Sequence, residues 1–193
     1  MSGIDQSRIR EALETHRKLV ADFERSSVEV VVAASEAIVA AFKSGGTLYL
    51  CGNGGSAADA QHIAGEMVGR FRTERRALPA VAFSTDTSVL TCIANDYSYD
   101  DVFARQAEAH VKPGDILWGL STSGASPNVI RAAEVAKRKG ARVIAFTGKK
   151  DSKLQAMADI CLCAEAQVTA RSQEIHQLAY HIICDLVEQH FCE

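Results

Sequence analysis

Proline, long apolar runs and an excess of either charge are scarce in this sequence, and each scarcity excludes something. Among 193 residues there are three prolines, Pro79, Pro113 and Pro127, too few and too scattered for a polyproline or low-complexity segment. No apolar run reaches the roughly 18 residues of a membrane span. The most apolar stretch, Val28 to Phe42, is broken by Glu29, Ser35 and Glu36. With 21 basic and 24 acidic side chains the formal charge is −3, so no global field favours nucleic acid or an anionic membrane. The stretch Met1 to Glu11 lacks the apolar core of a secretion signal, and Ser2 stands where a myristoylation motif needs glycine; a cytoplasmic protein is expected. The six cysteines, Cys51, Cys92, Cys161, Cys163, Cys184 and Cys192, form no Cys-x-x-Cys pair and sit in apolar runs, which predicts buried, reduced thiols.

What is present is an ordinary globular composition, 47% hydrophobic and 23% charged. At about 150 residues per domain, residues 1–193 read as one domain. Apolar spacing predicts helices over 4–25 and 27–43, and the length of this preface (residues 1–44) suggests apolar surface shared with another subunit. From there short apolar runs, Thr47–Cys51, Ala80–Phe83, Ile116–Leu120, Val143–Phe146 and Ile160–Cys163, read as strands buried on both faces. Helical stretches alternate with them at about 57–70, 86–94, 99–110, 127–139, 152–157 and 170–191. The alternation predicts an α/β fold around a parallel sheet.

Two loops carry most of the chemical signal. The first strand runs into Gly52-Asn-Gly-Gly-Ser-Ala57 and then a helix, an arrangement that offers free amides and a positive dipole end to an anion. The string also fits a relaxed dinucleotide fingerprint, but the nearest acid for a ribose, Asp86, lies 29 residues past Ala57, beyond the usual spacing of about 20. The third strand runs into Ser121-Thr-Ser-Gly-Ala-Ser126-Pro127, with Pro127 suited to the first helical position and Ser126 to the N-cap. Capping uses one hydroxyl; four hydroxyls with a glycine suit the acceptor oxygens of a phosphate monoester.

Four further features are ambiguous on residues alone. His62 and Glu66 lie four apart, about 40° around a helix, and suit either a surface hydrogen bond or a zinc or acid-base site. In the last helix His181 and His176 fall at about 80° and −60° from Gln173 and so cannot share one ligand; a core role for either is the plainer reading. The Arg70–Arg76 run, four arginines against Glu74, reads as solvated or intersubunit. Asn95-Asp96 interrupts the pattern between two helices and suits a turn or a site wall.

Taken together, Cys51 to Glu66, Asn95-Asp96, Ser121 to Ser126 and Gln173-Glu-Ile-His176 resemble the phosphoheptose isomerase family of the sugar isomerase (SIS) superfamily. The resemblance covers nearly the whole chain. It implies a three-layer α/β/α sandwich, flavodoxin-like, with a mainly five-stranded parallel sheet behind two N-terminal helices. It also implies a homotetramer with active sites at subunit contacts and one zinc ion per subunit. It selects His181 over His176 and gives His62, Glu66, Gln173 and His181 as metal ligands. Substrate contacts fall on Asn53, Gly54, Gly55, Ser56, Glu66, Asn95, Asp96, Ser121, Thr122, Ser123, Ser126 and Gln173, with Asp59 nearby. The implied reaction converts sedoheptulose 7-phosphate to D-glycero-D-manno-heptose 7-phosphate, the first step toward nucleotide-activated heptose and glycans such as lipopolysaccharide. Glu66 is the implied base and His181 the implied acid. A zinc-bound carboxylate is a weak base, so Glu66 either leaves the metal during turnover or acts despite it. The rival readings are a non-catalytic SIS protein that binds the replication initiator and a sugar-phosphate sensor; relatives of the first kind lack the glutamate and the last-helix histidine that this chain has.

Overall fold

The computed structural model describes residues 5–192. Residues 1–4, which include Ser2 and the expected start of the first helix, lie outside the described residues, as does Glu193. Two helices lead, α1 (Gln6–Ser26) and α2 (Val28–Lys43). The alternating part follows as β1 (Leu48–Gly52), α3 (Gly55–Val68), β2 (Ala80–Ala82), α4 (Thr87–Asp96), a 3-10 turn at Tyr99–Asp101 and α5 (Val102–His110). It continues with β3 (Ile116–Ser121), α6 (Pro127–Arg138), β4 (Arg142–Thr147), α7 (Lys153–Met157), β5 (Ile160–Cys163) and α8 (Thr169–Gln189). The five strands form one parallel sheet in the order β2-β1-β3-β4-β5.

Successive strand side chains point to opposite faces, and the core divides accordingly. Leu48, Leu50, Ile116, Trp118, Ile144 and Phe146 meet α2, α3 and α8 on one side. Cys51, Leu117, Val143 and Ala145 meet α5 and α6 on the other. Both faces are covered, which is why these strands read as continuous apolar runs. Trp118, wholly buried and edge-on to Phe146 with ring centroids 4.8 Å apart, anchors the first layer.

Four sequence expectations need correction. Asn95 and Asp96 do not interrupt a helix; they are its last two residues, since the Tyr97 N–H still donates to the Ile93 carbonyl. Of the cysteines only Cys51 and Cys184 are buried; Cys92 is exposed and Cys161, Cys163 and Cys192 are half-buried, because an apolar run on a helix or edge strand also has an outward side. The Arg70–Arg76 run is not uniformly solvated, for the Arg75 side chain is 1% exposed. Ser126 occupies the cap position of α6 without capping it; its hydroxyl has another partner.

Candidate active site

In this strand order the chain leaves β1 toward β2 on one side and β3 toward β4 on the other. The loops after β1 and β3 therefore part at their C-terminal ends and open a crevice, the place where such sheets bind ligands. Gly54, at φ +55°, turns the chain from β1 into α3. Gly55 matters for a different reason: a Cβ there would collide with the Gln173 side-chain amide, so its bare backbone leaves room for that amide beside the loop. Across the crevice the Ser121 hydroxyl pairs with Ser126 Oγ at 2.9 Å and Ser123 Oγ at 3.3 Å. The cluster explains why Ser126 does not cap its helix. The two loops are tied by reciprocal amide bonds, Asn53 Nδ2 to Asn128 Oδ1 and Asn128 Nδ2 to Asn53 Oδ1, each 2.9 Å.

Between them lies a cavity of about 320 Å³ lined by Asn53, Gly55, Ser56, Ser121, Thr122 and Ser126, with Thr169 and Gln173 of α8 as the far wall. None of its lining side chains is charged. An anion seated here would be held by hydroxyls, amides and the N-terminal dipoles of α3 and α6.

About two helical turns beyond, a second cluster forms. His62 Nε2 lies 3.0 Å from Glu66 Oε1 and 3.5 Å from His181 Nε2, and one donor atom from each of the three residues falls within 4.8 Å of the others. Two imidazoles and a carboxylate converging on one point fit a catalytic zinc site, which keeps a position open for substrate. The remaining nitrogen of His62, Nδ1, is 3.0 Å from the Tyr180 hydroxyl, which in turn donates to Asp59 Oδ1 at 3.4 Å. Such a partner fixes the ring and leaves Nε2 facing the cluster. Burial lowers the His181 pKa, helped by the neighbouring His62 and opposed by Glu66. Burial raises that of Asp59, with the Tyr180 hydrogen bond opposing.

His176 goes the other way, as the helical angles require. It is fully buried against Phe146, its Nε2 donates to the Thr147 carbonyl at 3.0 Å, and burial brings its pKa down to about 4. Gln173 stands against Gly55 at the cavity wall. Asn95 and Asp96 are exposed, bonded to each other at 2.9 Å, and outside the residues lining the cavity; Ser123 and Gly54 are exposed at its rim. Sequence reasoning missed Asn128, Thr169 and Tyr180. Tyr180, one residue before His181 and four after His176, was available from helical spacing; Asn128 had no signal beyond its place at a helix start.

A family profile described as SIS domain matches residues 13–148. A phosphoheptose isomerase of Roseiflexus sp. is 51% identical, the match covering 87% of each chain; one from Citrifermentans bemidjiense is 48% identical over 94% of each. Among solved structures, phosphoheptose isomerase from Neisseria gonorrhoeae superposes with a TM-score of 0.90 at 42% identity, covering 95% of this chain and 98% of that one. The enzyme from Francisella tularensis gives 0.93 at 32% identity, over 97% and 100%. The chain belongs to the phosphoheptose isomerase family of SIS-domain proteins.

Proposed function

We propose that this aldose-ketose isomerase converts sedoheptulose 7-phosphate to D-glycero-D-manno-heptose 7-phosphate with Glu66 as base and His181 as acid. The observation that carries the reading is the convergence of Glu66 from α3 and His181 from α8 beside an uncharged, hydroxyl-lined cavity. The phosphate sits among Ser56, Ser121, Thr122, Ser123 and Ser126, and positions the reacting carbons away from it. Glu66 removes the C1 proton; the electron pair forms the C1=C2 bond of the enediol while the C2 oxygen takes a proton from His181. Return of a proton to C2 and loss of the O1 proton complete the aldose. Asn53, Gly54, Gly55, Asn95, Asp96 and Gln173 complete the substrate contacts in this reading.

One zinc ion per subunit, held by His62, Glu66 and His181 with Gln173 as fourth donor, would polarise the C2 carbonyl. The protein works as a cytoplasmic homotetramer, the single SIS domain of 1–193 using its leading helices in subunit contacts. Among the described residues no helix is long and apolar enough to cross a membrane, and Ile9, Leu13, Val28 and Val32 of α1 and α2 are exposed apolar side chains of the kind a second copy covers. The test is turnover of sedoheptulose 7-phosphate in deuterated water with zinc, following label at C2 by NMR. Aldose carrying deuterium at C2 is expected, with a loss of about 100-fold or more in Glu66→Gln. Binding of the sugar phosphate without conversion by the unaltered protein would favour a non-catalytic SIS protein.

A further inference from the structure

The segment after α3 and the C-terminal half of α8 share a buried ion pair that the reaction scheme does not use. The side chains of Arg75 and Glu188 are 1% and 3% exposed, with Nε 3.4 Å from Oε2. Charge pairing holds them without a formed hydrogen bond between them; their donors and acceptors are directed elsewhere. The Arg75 guanidinium donates to the carbonyls of Glu66 at 2.7 Å, Met67 and Gly69 at 2.8 Å and Arg76 at 3.0 Å. The first three close the last turn of α3, where a helix leaves carbonyls without internal partners. The Glu188 carboxylate accepts the backbone N–H groups of Phe71, Arg72 and Thr73, each at 2.7 Å. Burial alone would raise its pKa; these three bonds and Arg75 hold it below the usual carboxylate value.

Both halves of the pair lead to reacting groups. The carbonyl nearest the guanidinium belongs to Glu66 itself. Phe71, whose N–H Glu188 accepts, lays its ring against the His181 imidazole, centroids 5.7 Å apart and tilted by 35°. On α8 the buried residues Tyr180, Cys184 and Glu188 repeat every fourth position and so form one stripe. A buried pair of this kind contributes little net stability over an apolar pair of the same volume, because desolvating two charges offsets their attraction. What it adds over an apolar contact is direction, fixed by seven hydrogen bonds to main-chain atoms.

We infer that Arg75 and Glu188 are positioning residues of the isomerase site, setting how Glu66 and His181 face each other across the α3–α8 contact. The inference rests on the reading of Glu66 and His181 as base and acid.

The test uses the full-length protein with Glu188→Gln, which keeps the shape but turns an acceptor toward N–H groups into a donor. The kcat is expected to fall about 10- to 100-fold. The KM for the sugar phosphate should stay within about twofold, since the hydroxyl cavity lies at the opposite ends of α3 and α8. In NMR of isotope-labelled histidine the His181 resonance should move, because the Phe71 ring current acts on it. Arg75→Lys, which keeps the charge and loses the fork, carries the same expectations should Glu188→Gln fail to fold. A folded variant with unaltered kcat and an unmoved His181 signal would overturn the proposal, as would a fall in activity that only tracks the folded fraction. Glu66→Gln, run alongside, separates the two readings. Activity retained there overturns the base assignment and this inference with it; an inactive Glu66→Gln beside a fully active Glu188→Gln overturns the positioning role alone.

Discussion

His176 should make the fold acid-sensitive, and the size of the effect follows from its surroundings. Its Nε2 proton is committed to the Thr147 carbonyl, and Nδ1 has no hydrogen-bond partner among the described residues. Protonation would place a second N–H and a full charge in an apolar pocket beside Phe146. Burial accordingly holds the pKa at about 4, against 6.5 for an ordinary histidine. The unfolded chain therefore takes up this proton as pH falls below about 6.5, and the folded chain does not until about 4. Stability is lost progressively across that window, and the loss levels off below it. At about 1.4 kcal/mol per pH unit the gap amounts to about 3 kcal/mol. Urea midpoints measured from pH 7 to about 4 at fixed protein concentration, for the unaltered protein and His176→Gln, isolate the contribution. Glutamine can still donate to Thr147 but cannot titrate, so the two stability curves should converge toward acid. Parallel curves would refute the reasoning.

Gly55→Ala should leave the fold intact and displace the Gln173 amide from the cavity wall, lowering kcat/KM by up to about 100-fold, the effect of moving a positioned group by about 1 Å; steady-state kinetics unchanged from the parent would show that Gln173 does not depend on that glycine. Ser121→Ala should raise the KM for sugar phosphate about 10-fold or more, the worth of a hydrogen bond to a charged group. Inhibition by inorganic phosphate should weaken in parallel, and a drop in kcat with KM unchanged would remove the loop from its anchoring role.

The parts of the structure that were legible in the sequence are those written in local punctuation. Gly52 to Ser56 and Ser121 to Pro127 sit between an apolar run and a helical pattern, and both emerged as strand–loop–helix units because glycine, serine and proline each constrain the backbone in a known way. The His176 and His181 divergence was legible as geometry, and the structure sends one to the core and the other to the cluster with His62. What was not legible depends on pairings distant in sequence. Nothing near Arg75 marks it as buried, since its pairing with Glu188 exists only once α3 and α8 are packed. The helical continuation through Asn95 and Asp96 was hidden for the opposite reason: both residues favour turns locally, and packing of α4 through Ile93 carried the helix past that preference.

The reciprocal amide pair between Asn53 and Asn128 has a consequence for anyone redesigning this crevice. Each asparagine supplies both a donor and an acceptor to the other, so replacing one strands the amide nitrogen of its partner, while the partner's oxygen keeps a second donor, the Val129 N–H at Asn128 and the Tyr99 hydroxyl at Asn53; Asn128 is only 2% exposed. The loops after β1 and β3 are thus a single mechanical unit although they come from different βα segments. Combinatorial libraries that vary one loop and hold the other constant would discard functional solutions along with misfolded ones; those that draw positions 53 and 128 jointly would let the crevice change width while remaining closed.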